Sequence, residues 1–316
     1  MSGVATAAEQ FEGRLAAESA AMAALEQQLA NSPGSLTRIE KLGSEQAGFA
    51  PVLGLALLPQ GEVVRGGVLL LHDSAQHPDW PDFTGPARQA LAGDGWHTLS
   101  VTLTPVRPEA RPSRSLPPRL ADGGLPAVLK ADTDANDAAP ADASPEATLA
   151  ESVPVVDAVE ATPAEVPRLK QFSDMERVAL GLAWLGQQAV DNQVLVGVGL
   201  GADTALAAYA SLNLGTRGVV LVLVNATLGF TEMNELLKQS PGLAEAVILD
   251  IYDPDSYFAS ALAKGRKTLM QRSSAQAYQQ RAVAGIDRDL RLHQAPVIRS
   301  MRGWLRRYAP GVEGAR

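Results

Sequence analysis

One stretch of the sequence, residues 193–212, restricts the possible fold more than any other. It begins with the apolar run Val194 to Val198, carries glycines at alternate positions, Gly197, Gly199 and Gly201, and continues as an alanine-rich segment. Short apolar runs are typical of buried parallel strands, and glycine permits sharp turns with positive φ. The stretch therefore predicts a strand, a tight turn and a helix whose first amides point into the space above the turn.

Two chemically different motifs compete for this turn. In the nucleophile elbow, G-x-S-x-G, a strand-to-helix turn exposes a serine beside an oxyanion hole, but here the serine position holds Gly199. In the dinucleotide fingerprint, G-x-G-x-x-G/A, the matching residues are Gly197, Gly199 and Ala202. A glycine turn without any chemistry is the third interpretation, so the rest of the chain has to decide.

Strand-like and helix-like segments alternate on both sides of the turn. Before it, apolar or alternating runs predict strands at 52–58, 68–71 and 96–103, with a helical stretch from 83 to 91. After it, strands are predicted at 218–225, 246–252 and 278–283, and helices at 231–238, 256–269 and 296–308. This alternation predicts an α/β fold with a mostly parallel sheet and helices on both faces.

Residues 104–168 interrupt the alternation. The segment holds 11 of the 21 prolines, and residues 121–167 contain ten acidic side chains against one lysine. Such a composition cannot bury enough apolar surface to offset its backbone entropy, so we predict a disordered acidic insert. The predicted organisation is an N-terminal helix at 1–35 and one α/β domain formed by 36–103 and 169–310.

Composition excludes several functions. The net charge of −8 arises in the insert, and the nearly neutral remainder gives no argument for nucleic-acid binding. The absence of cysteine excludes disulfides, thiolate nucleophiles and cysteine-ligated zinc. No apolar run is long enough for a transmembrane span, and residues 1–9 show no signal-peptide pattern, so a cytoplasmic location is the default expectation.

The loop 72–81 is the most unusual in the sequence. Four of its residues are possible metal ligands, namely His72, Asp73, His77 and Asp79. They do not have the i,i+4 spacing of a helical metal site, so we expect neither a metal nor a cofactor. We expect instead a sharp turn at the carboxyl end of a strand, with the amides of Ser74 and Ala75 directed towards the same crevice as Gly199.

Four segments together resemble a known family. They are 67–81, 196–202, 221–225 and 302–306, and they are similar to the DUF3530 group of the α/β-hydrolase superfamily. The likeness covers roughly 36–103 and 169–308 and implies a hydrolase-like fold. Relatives often carry export signals, so an envelope location also agrees with the resemblance. Fold alone does not imply hydrolysis.

A hydrolase of this build needs a nucleophile, a histidine and an orienting acid. Gly199 supplies no nucleophile, and the acid position can be filled by Asp253 or Asp255. The loop 285–289, where the histidine is expected, contains none, although His293 follows a few residues later.

Two routes to activity remain open on the sequence. Ser74 could act as a displaced nucleophile with His72 or His77 as its base, or its hydroxyl could merely satisfy loop amides. Alternatively, Asp73 or Asp253 could activate water directly.

The leading hypothesis is a hydrolase-fold protein without serine chemistry that binds an unknown small molecule or protein partner in the crevice above Gly199. A hydrolase with an unconventional nucleophile is the alternative, and a nucleotide-binding protein is the third hypothesis. The candidate residues at the nucleophile position and in the oxyanion-type loop are Gly199, Leu200, His72, Asp73, Ser74, Ala75 and His77. The candidate catalytic residues are Ser74, Asp253 and His293.

Overall fold

The computed structural model describes residues 36–310 except 105–168 and positions 45, 47, 75, 189, 274 and 276, together with residues 23, 24 and 27. Residues 23, 24 and 27 are helical, whereas the rest of the predicted N-terminal helix and residues 105–168 of the predicted insert lie outside the described residues. No helix in the described part is long and apolar enough to cross a membrane.

The described residues form eight strands and six α-helices, which alternate after the first three strands. The strands are β1 (Thr37–Leu42), β2 (Val52–Leu57), β3 (Gly66–Leu71), β4 (Trp96–Val101), β5 (Gln193–Val198), β6 (Val220–Val224), β7 (Ile248–Tyr252) and β8 (Tyr278–Ala282). The helices are α1 (Thr84–Gly93), α2 (Asp174–Gln187), α3 (Leu200–Ser211), α4 (Phe230–Gln239), α5 (Tyr257–Arg272) and α6 (Leu290–Tyr308).

All eight strands belong to one sheet with the order β1-β2-β4-β3-β5-β6-β7-β8. The pairs β1·β2 and β2·β4 are antiparallel, and every other neighbouring pair is parallel. The predicted fold class, a mostly parallel sheet with helices, is confirmed. The glycine turn follows β5, which lies between β3 and β6, so the turn is at the middle of the sheet.

Alternate residues of the central strands face two separate cores. Leu69 of β3 and Leu195 of β5 pack in the core that includes residues of α2, α3, α4 and α5. Val68 and Val194, one position earlier, pack in the core that includes residues of α1 and α6. Because side chains alternate across a strand, an uninterrupted apolar run is buried on both faces of the sheet.

Local capping signals decide where two of the helices begin. Ser173 and Glu176 form a capping box at the start of α2, in which the Glu176 carboxylate accepts the Ser173 amide at 2.7 Å. The last helix was expected to start at Pro296, but it starts at Leu290. The Asp289 carboxylate accepts the Leu292 amide at 3.2 Å, and this cap begins the helix one and a half turns before the proline.

The chain leaves the sheet at Thr104, after β4, and returns at Leu169, before α2. The Thr104 amide donates to Asp174 in the first turn of α2 at 2.7 Å, which fixes the exit next to the start of that helix. The isolated bridge between Phe49 and Lys170 anchors the returning chain beside the antiparallel end of the sheet.

Candidate functional site

Gly199 lies at the sharp turn between β5 and α3, with φ of 54° and ψ of −123°. This backbone conformation is strongly disfavoured for any residue with a side chain. A Cβ at Gly197 would collide with the backbone of Gly201, and a Cβ at Gly201 would collide with the carbonyl oxygen of His72. Glycine is therefore required at the three positions for different reasons. Gly197 and Gly201 permit close approach of backbone segments, and Gly199 permits the turn.

The space above Gly199 is occupied by the carboxylate of Asp73. A Cβ built on Gly199 would overlap both carboxylate oxygens of Asp73. Asp73 Oδ1 accepts the Leu200 amide at 2.8 Å and the Ser74 amide at 2.7 Å. These two donors, one directly after the turn and one in the loop after β3, have the arrangement of an oxyanion hole. An internal carboxylate oxygen thus lies where the oxygen of a reacting carbonyl would bind in an enzyme of this build.

His72 is buried and links the ends of two strands. Its Nε2 accepts the Leu103 amide at 3.1 Å, so the ring proton is on Nδ1, which donates to the Asp73 carbonyl at 2.7 Å. Burial lowers the pKa of His72 to about 4, so the ring is neutral near pH 7. Because both ring nitrogens are engaged with the backbone, His72 cannot take a proton from Ser74.

Ser74 is exposed, and in the described part of the chain no hydrogen bond joins its hydroxyl to His72 or His77. His77 Nδ1 instead accepts the Asp79 amide at 3.2 Å, and its ring meets Trp80 edge-on with centroids 5.1 Å apart. Burial lowers the pKa of His77. Ala75 lies outside the described residues. The loop histidines therefore hold the loop in shape.

Asp79 forms an ion pair with the buried Arg88 of α1. Arg88 also donates to Ser100 of β4 at 3.3 Å, so the pair fastens the loop to the sheet. The four possible ligands of this loop do not form a group of three or more that could hold a metal ion, and none is found elsewhere among the described residues.

Asp253, at the predicted acid position after β7, is buried and fastens two loops. Its Oδ1 accepts the Asp255 amide and its Oδ2 accepts the Asp287 amide, both at 2.9 Å. Burial acts to raise the pKa of Asp253, but hydrogen bonds from backbone amides outweigh burial and lower the pKa below its usual value. Asp255 is exposed, and only its amide takes part in this arrangement.

His293 is half-buried in the first turn of α6. Its ring lies against Gly285, where a Cβ would come within 2.5 Å of Nε2. No hydrogen bond between His293 and Asp253 is present among the described residues. The two candidates therefore lie near the same loop, 285–287, but do not form the paired histidine and acid of a triad.

Sequence reasoning missed the residues that fix the loop after β6. Asp203, in the first turn of α3, accepts the amides of Thr227 at 2.9 Å and Leu228 at 3.0 Å. Burial raises the pKa of Asp203, against the lowering effect of the Thr227 hydroxyl that donates to it. The only sequence signal was an acidic residue one turn into a helix, where it is favoured by the helix dipole.

Asn225 directly follows β6 and has φ of 51°, and its side-chain amide donates to Asp287 at 2.9 Å. Asparagine tolerates this left-handed conformation better than most residues with a side chain. The contact joins the loop after β6 to the loop after β8. This contact between side chains, together with the backbone amides that Asp203 and Asp253 accept, holds the loops after β6, β7 and β8 in place.

A buried ion pair lies under the same loops. Arg266 of α5 contacts Asp250 of β7 through two hydrogen bonds of 3.0 Å, and both side chains are fully buried. Arg266 also donates to the carbonyl oxygens of Ala226 and Leu228 at 3.0 and 2.8 Å. An acidic residue inside the apolar run of β7 was the available signal, because a buried carboxylate requires a partner.

The chain was then compared with known proteins. The family model of DUF3530, described as a protein of unknown function, matches residues 6–307. The chain belongs to the DUF3530 family. No sequence among the curated proteins compared with this member matches it.

Solved structures share the fold of this DUF3530 protein. The esterase Pf2001 of Pyrococcus furiosus superposes with a TM-score of 0.52 at 8% identity, covering 86% of this chain and 90% of the esterase. XC6422 of Xanthomonas campestris, an α/β serine hydrolase without a lid, gives a TM-score of 0.49 at 14% identity over 88% of this chain and 97% of its own. At such an identity the superposition on Pf2001 shows the fold alone, and the predicted α/β-hydrolase-like fold is confirmed.

Proposed function

We propose that this protein uses an α/β-hydrolase fold to bind a small molecule or a protein partner at the surface above Gly199, without ester hydrolysis. One observation carries the proposal: the Asp73 carboxylate fills the space over Gly199 and accepts the amides of Ser74 and Leu200.

Acyl transfer requires amide donors that are available when negative charge develops on the substrate oxygen. In this protein the two donors already hold a carboxylate oxygen. A second negative charge developing beside Asp73 would be repelled rather than stabilised. The neutral, fully engaged His72 also supplies no general base for a hydroxyl nearby.

The alternative is a hydrolase with an unconventional nucleophile, either Ser74 or a water molecule activated by Asp73 or Asp253. It has less support, because Ser74 has no histidine as a hydrogen-bond partner among the described residues. The lowered pKa of Asp253 makes its carboxylate a weak base, and backbone amides occupy both of its oxygens.

The third hypothesis, nucleotide binding through 197–202, has the least support. A pyrophosphate on this turn would need the Leu200 amide, which donates to Asp73. The carboxylate would also repel the phosphate charge. We expect NAD(P) to show no binding at millimolar concentration in a calorimetric titration, and saturable binding would revive this hypothesis.

Incubation of the purified protein with a panel of p-nitrophenyl esters and a fluorophosphonate probe tests the main proposal. We expect hydrolysis no faster than the buffer background and no covalent labelling. The Ser74→Ala variant is the matched control, because it removes only the candidate hydroxyl. Labelling of the wild-type protein that disappears in Ser74→Ala would replace the proposal with the alternative.

A further inference from the structure

The hydrogen-bonding polarity of this site is opposite to that of a hydrolase. A free pair of amides offers two N–H donors to an incoming carbonyl or anionic oxygen. Here Asp73 Oδ1 takes both donors, and the carboxylate lies over Gly199 in the position of an elbow side chain. The surface above the turn therefore presents an acceptor oxygen with negative charge, Asp73 Oδ2.

No group within the described residues satisfies this second oxygen. Every hydrogen bond to the Asp73 carboxylate from the described chain reaches Oδ1. Three other buried or half-buried aspartates, by contrast, receive donors on both carboxylate oxygens, namely Asp203, Asp250 and Asp253. Asp73 has no Lys or Arg partner among the described residues, although it is half-buried.

Two residues that contact Asp73, Leu200 and His72, indicate which kind of ligand this oxygen would accept. Leu200, whose amide holds the carboxylate, keeps 38% of its surface exposed. His72, whose ring contacts the Asp73 backbone, carries no compensating charge near pH 7 because burial lowers its pKa to about 4. A ligand with a positive group and a short apolar portion would satisfy both the lone oxygen and the exposed leucine.

We propose that Asp73 and Leu200 form a binding site for a cationic group, a protonated amine or a guanidinium carried on an alkyl chain. A ligand N–H donates to Asp73 Oδ2, and the alkyl portion packs on Leu200. The inference rests on the proposed non-hydrolytic function and adds the chemical class of the ligand.

The Asp73→Asn variant separates this role from a purely structural one. The asparagine Oδ1 still accepts the amides of Ser74 and Leu200, so the turn keeps its cap. Its second atom is an N–H donor without charge in place of an acceptor oxygen. Asp255→Asn is the matched control, because it removes an exposed carboxylate from the same end of the sheet without touching the turn.

The experiment is a titration of ¹⁵N-labelled protein with n-butylammonium chloride, followed by the amide shifts of Ser74 and Leu200 at constant ionic strength. Sodium butyrate and n-butanol serve as probes of equal chain length. We expect saturable shifts with n-butylammonium only, at least tenfold weaker binding in Asp73→Asn, and unchanged binding in Asp255→Asn. The proposal is overturned if n-butylammonium does not saturate, if Asp73→Asn binds it equally well, or if butyrate binds as tightly.

Failure of this inference is distinguishable from failure of the proposed function. Absence of ammonium binding together with blank esterase and fluorophosphonate assays would reject the ligand class and leave the non-hydrolytic proposal standing. Ester hydrolysis that requires Ser74 would reject the proposed function directly.

Discussion

Asp250 is fully buried within β7, whereas Asp73 is half-buried in the loop after β3, and the chain treats their charges differently. Asp250 contacts Arg266, Gln280 at 3.0 Å and the hydroxyl of Tyr278 at 2.5 Å. Asp73 receives two backbone amides on one oxygen and no donor from the described residues on the other. Both oxygens of the Asp250 carboxylate receive donors from the chain. On the Asp73 carboxylate, the described residues leave one oxygen without a donor.

The two carboxylates therefore have different roles: Asp250 stabilises the fold, and Asp73 is available to bind a ligand. A buried charge that is fully paired fixes the loops and contributes nothing to recognition. A half-buried charge that is partly paired keeps interaction energy available for a ligand. We therefore expect changes at Asp250 and Arg266 mainly to alter stability, and changes at Asp73 mainly to alter binding.

The largest effect is expected for Arg266→Met. Removing the guanidinium leaves Asp250 as an uncompensated buried charge and frees the carbonyl oxygens of Ala226 and Leu228, so we expect a loss of about 3–5 kcal/mol in the free energy of unfolding. Urea denaturation measures it. The control is Arg302→Met, which breaks the ion pair with Asp94 where the arginine is 39% exposed, and should lose less than about 1 kcal/mol. Equal losses would remove the distinction between buried and exposed pairs.

The next effect is expected for Gly199→Ala. A methyl group there meets an unfavourable backbone conformation and the Asp73 carboxylate together, and we expect a loss of about 3 kcal/mol in unfolding free energy. In the Asp73→Ala background the collision is gone, so the same substitution should lose at least about 1 kcal/mol less. A double-mutant cycle by urea denaturation measures this coupling. Additive effects would show that the carboxylate does not compete for the space over Gly199.

Acid should weaken the fold through His72. A histidine whose pKa is lower in the folded state contributes stability that is complete above its unfolded pKa of about 6.5 and is lost as pH falls towards about 4. Between pH 7 and pH 4.5 we expect His72 to account for about 2–3 kcal/mol of lost unfolding free energy. The measurement is urea denaturation across this range in wild type and His72→Gln. A variant with the same pH dependence as wild type would contradict the assignment.

The smallest effect on stability is expected for Asp73→Asn. The amide oxygen keeps the cap on Leu200 and Ser74, so only the interaction of the charge with the start of α3 is lost, about 0.3–1 kcal/mol. Asp73→Ala removes the cap as well and should lose about 1–2 kcal/mol. Thermal and urea unfolding distinguish the two. A loss of several kcal/mol in Asp73→Asn would make this carboxylate a structural element like Asp250.

The sequence predicted the fold well because the signals of this fold are local. The apolar runs of the central strands, the capping box at Ser173 and the alternate glycines each act within a few residues. The predicted start of the last helix, Pro296, was wrong. Proline is common in the first turn of a helix, and this preference outweighed the signal of the Asp289 cap that precedes it. The helix accommodates Pro296 because the residues that follow it are buried in the core, and this burial offsets the cost of the proline.

The candidate site was predicted only in part. The sequence predicted that Gly199, Asp73 and Ser74 lie at the same edge of the sheet. The structure has them there because β3 and β5 are parallel neighbours that end at this edge. The sequence did not predict that Asp73 would reach across to the Leu200 amide, 127 positions away, because a side-chain direction cannot be read from spacing. The roles of Ser74, Asp253 and His293 remain predictions, and the hydrogen bonds made by Asp253 were invisible because they involve backbone amides of a distant loop.

The overlap between Asp73 and the space over Gly199 makes the order of genetic change matter. A codon change that introduces serine at residue 199 would meet both the unfavourable turn and the carboxylate, and would destabilise the fold. The same change would be far better tolerated after Asp73 had become a smaller residue. The two positions therefore form an epistatic pair, in which the free-energy cost of a serine at residue 199 depends on the side chain at residue 73.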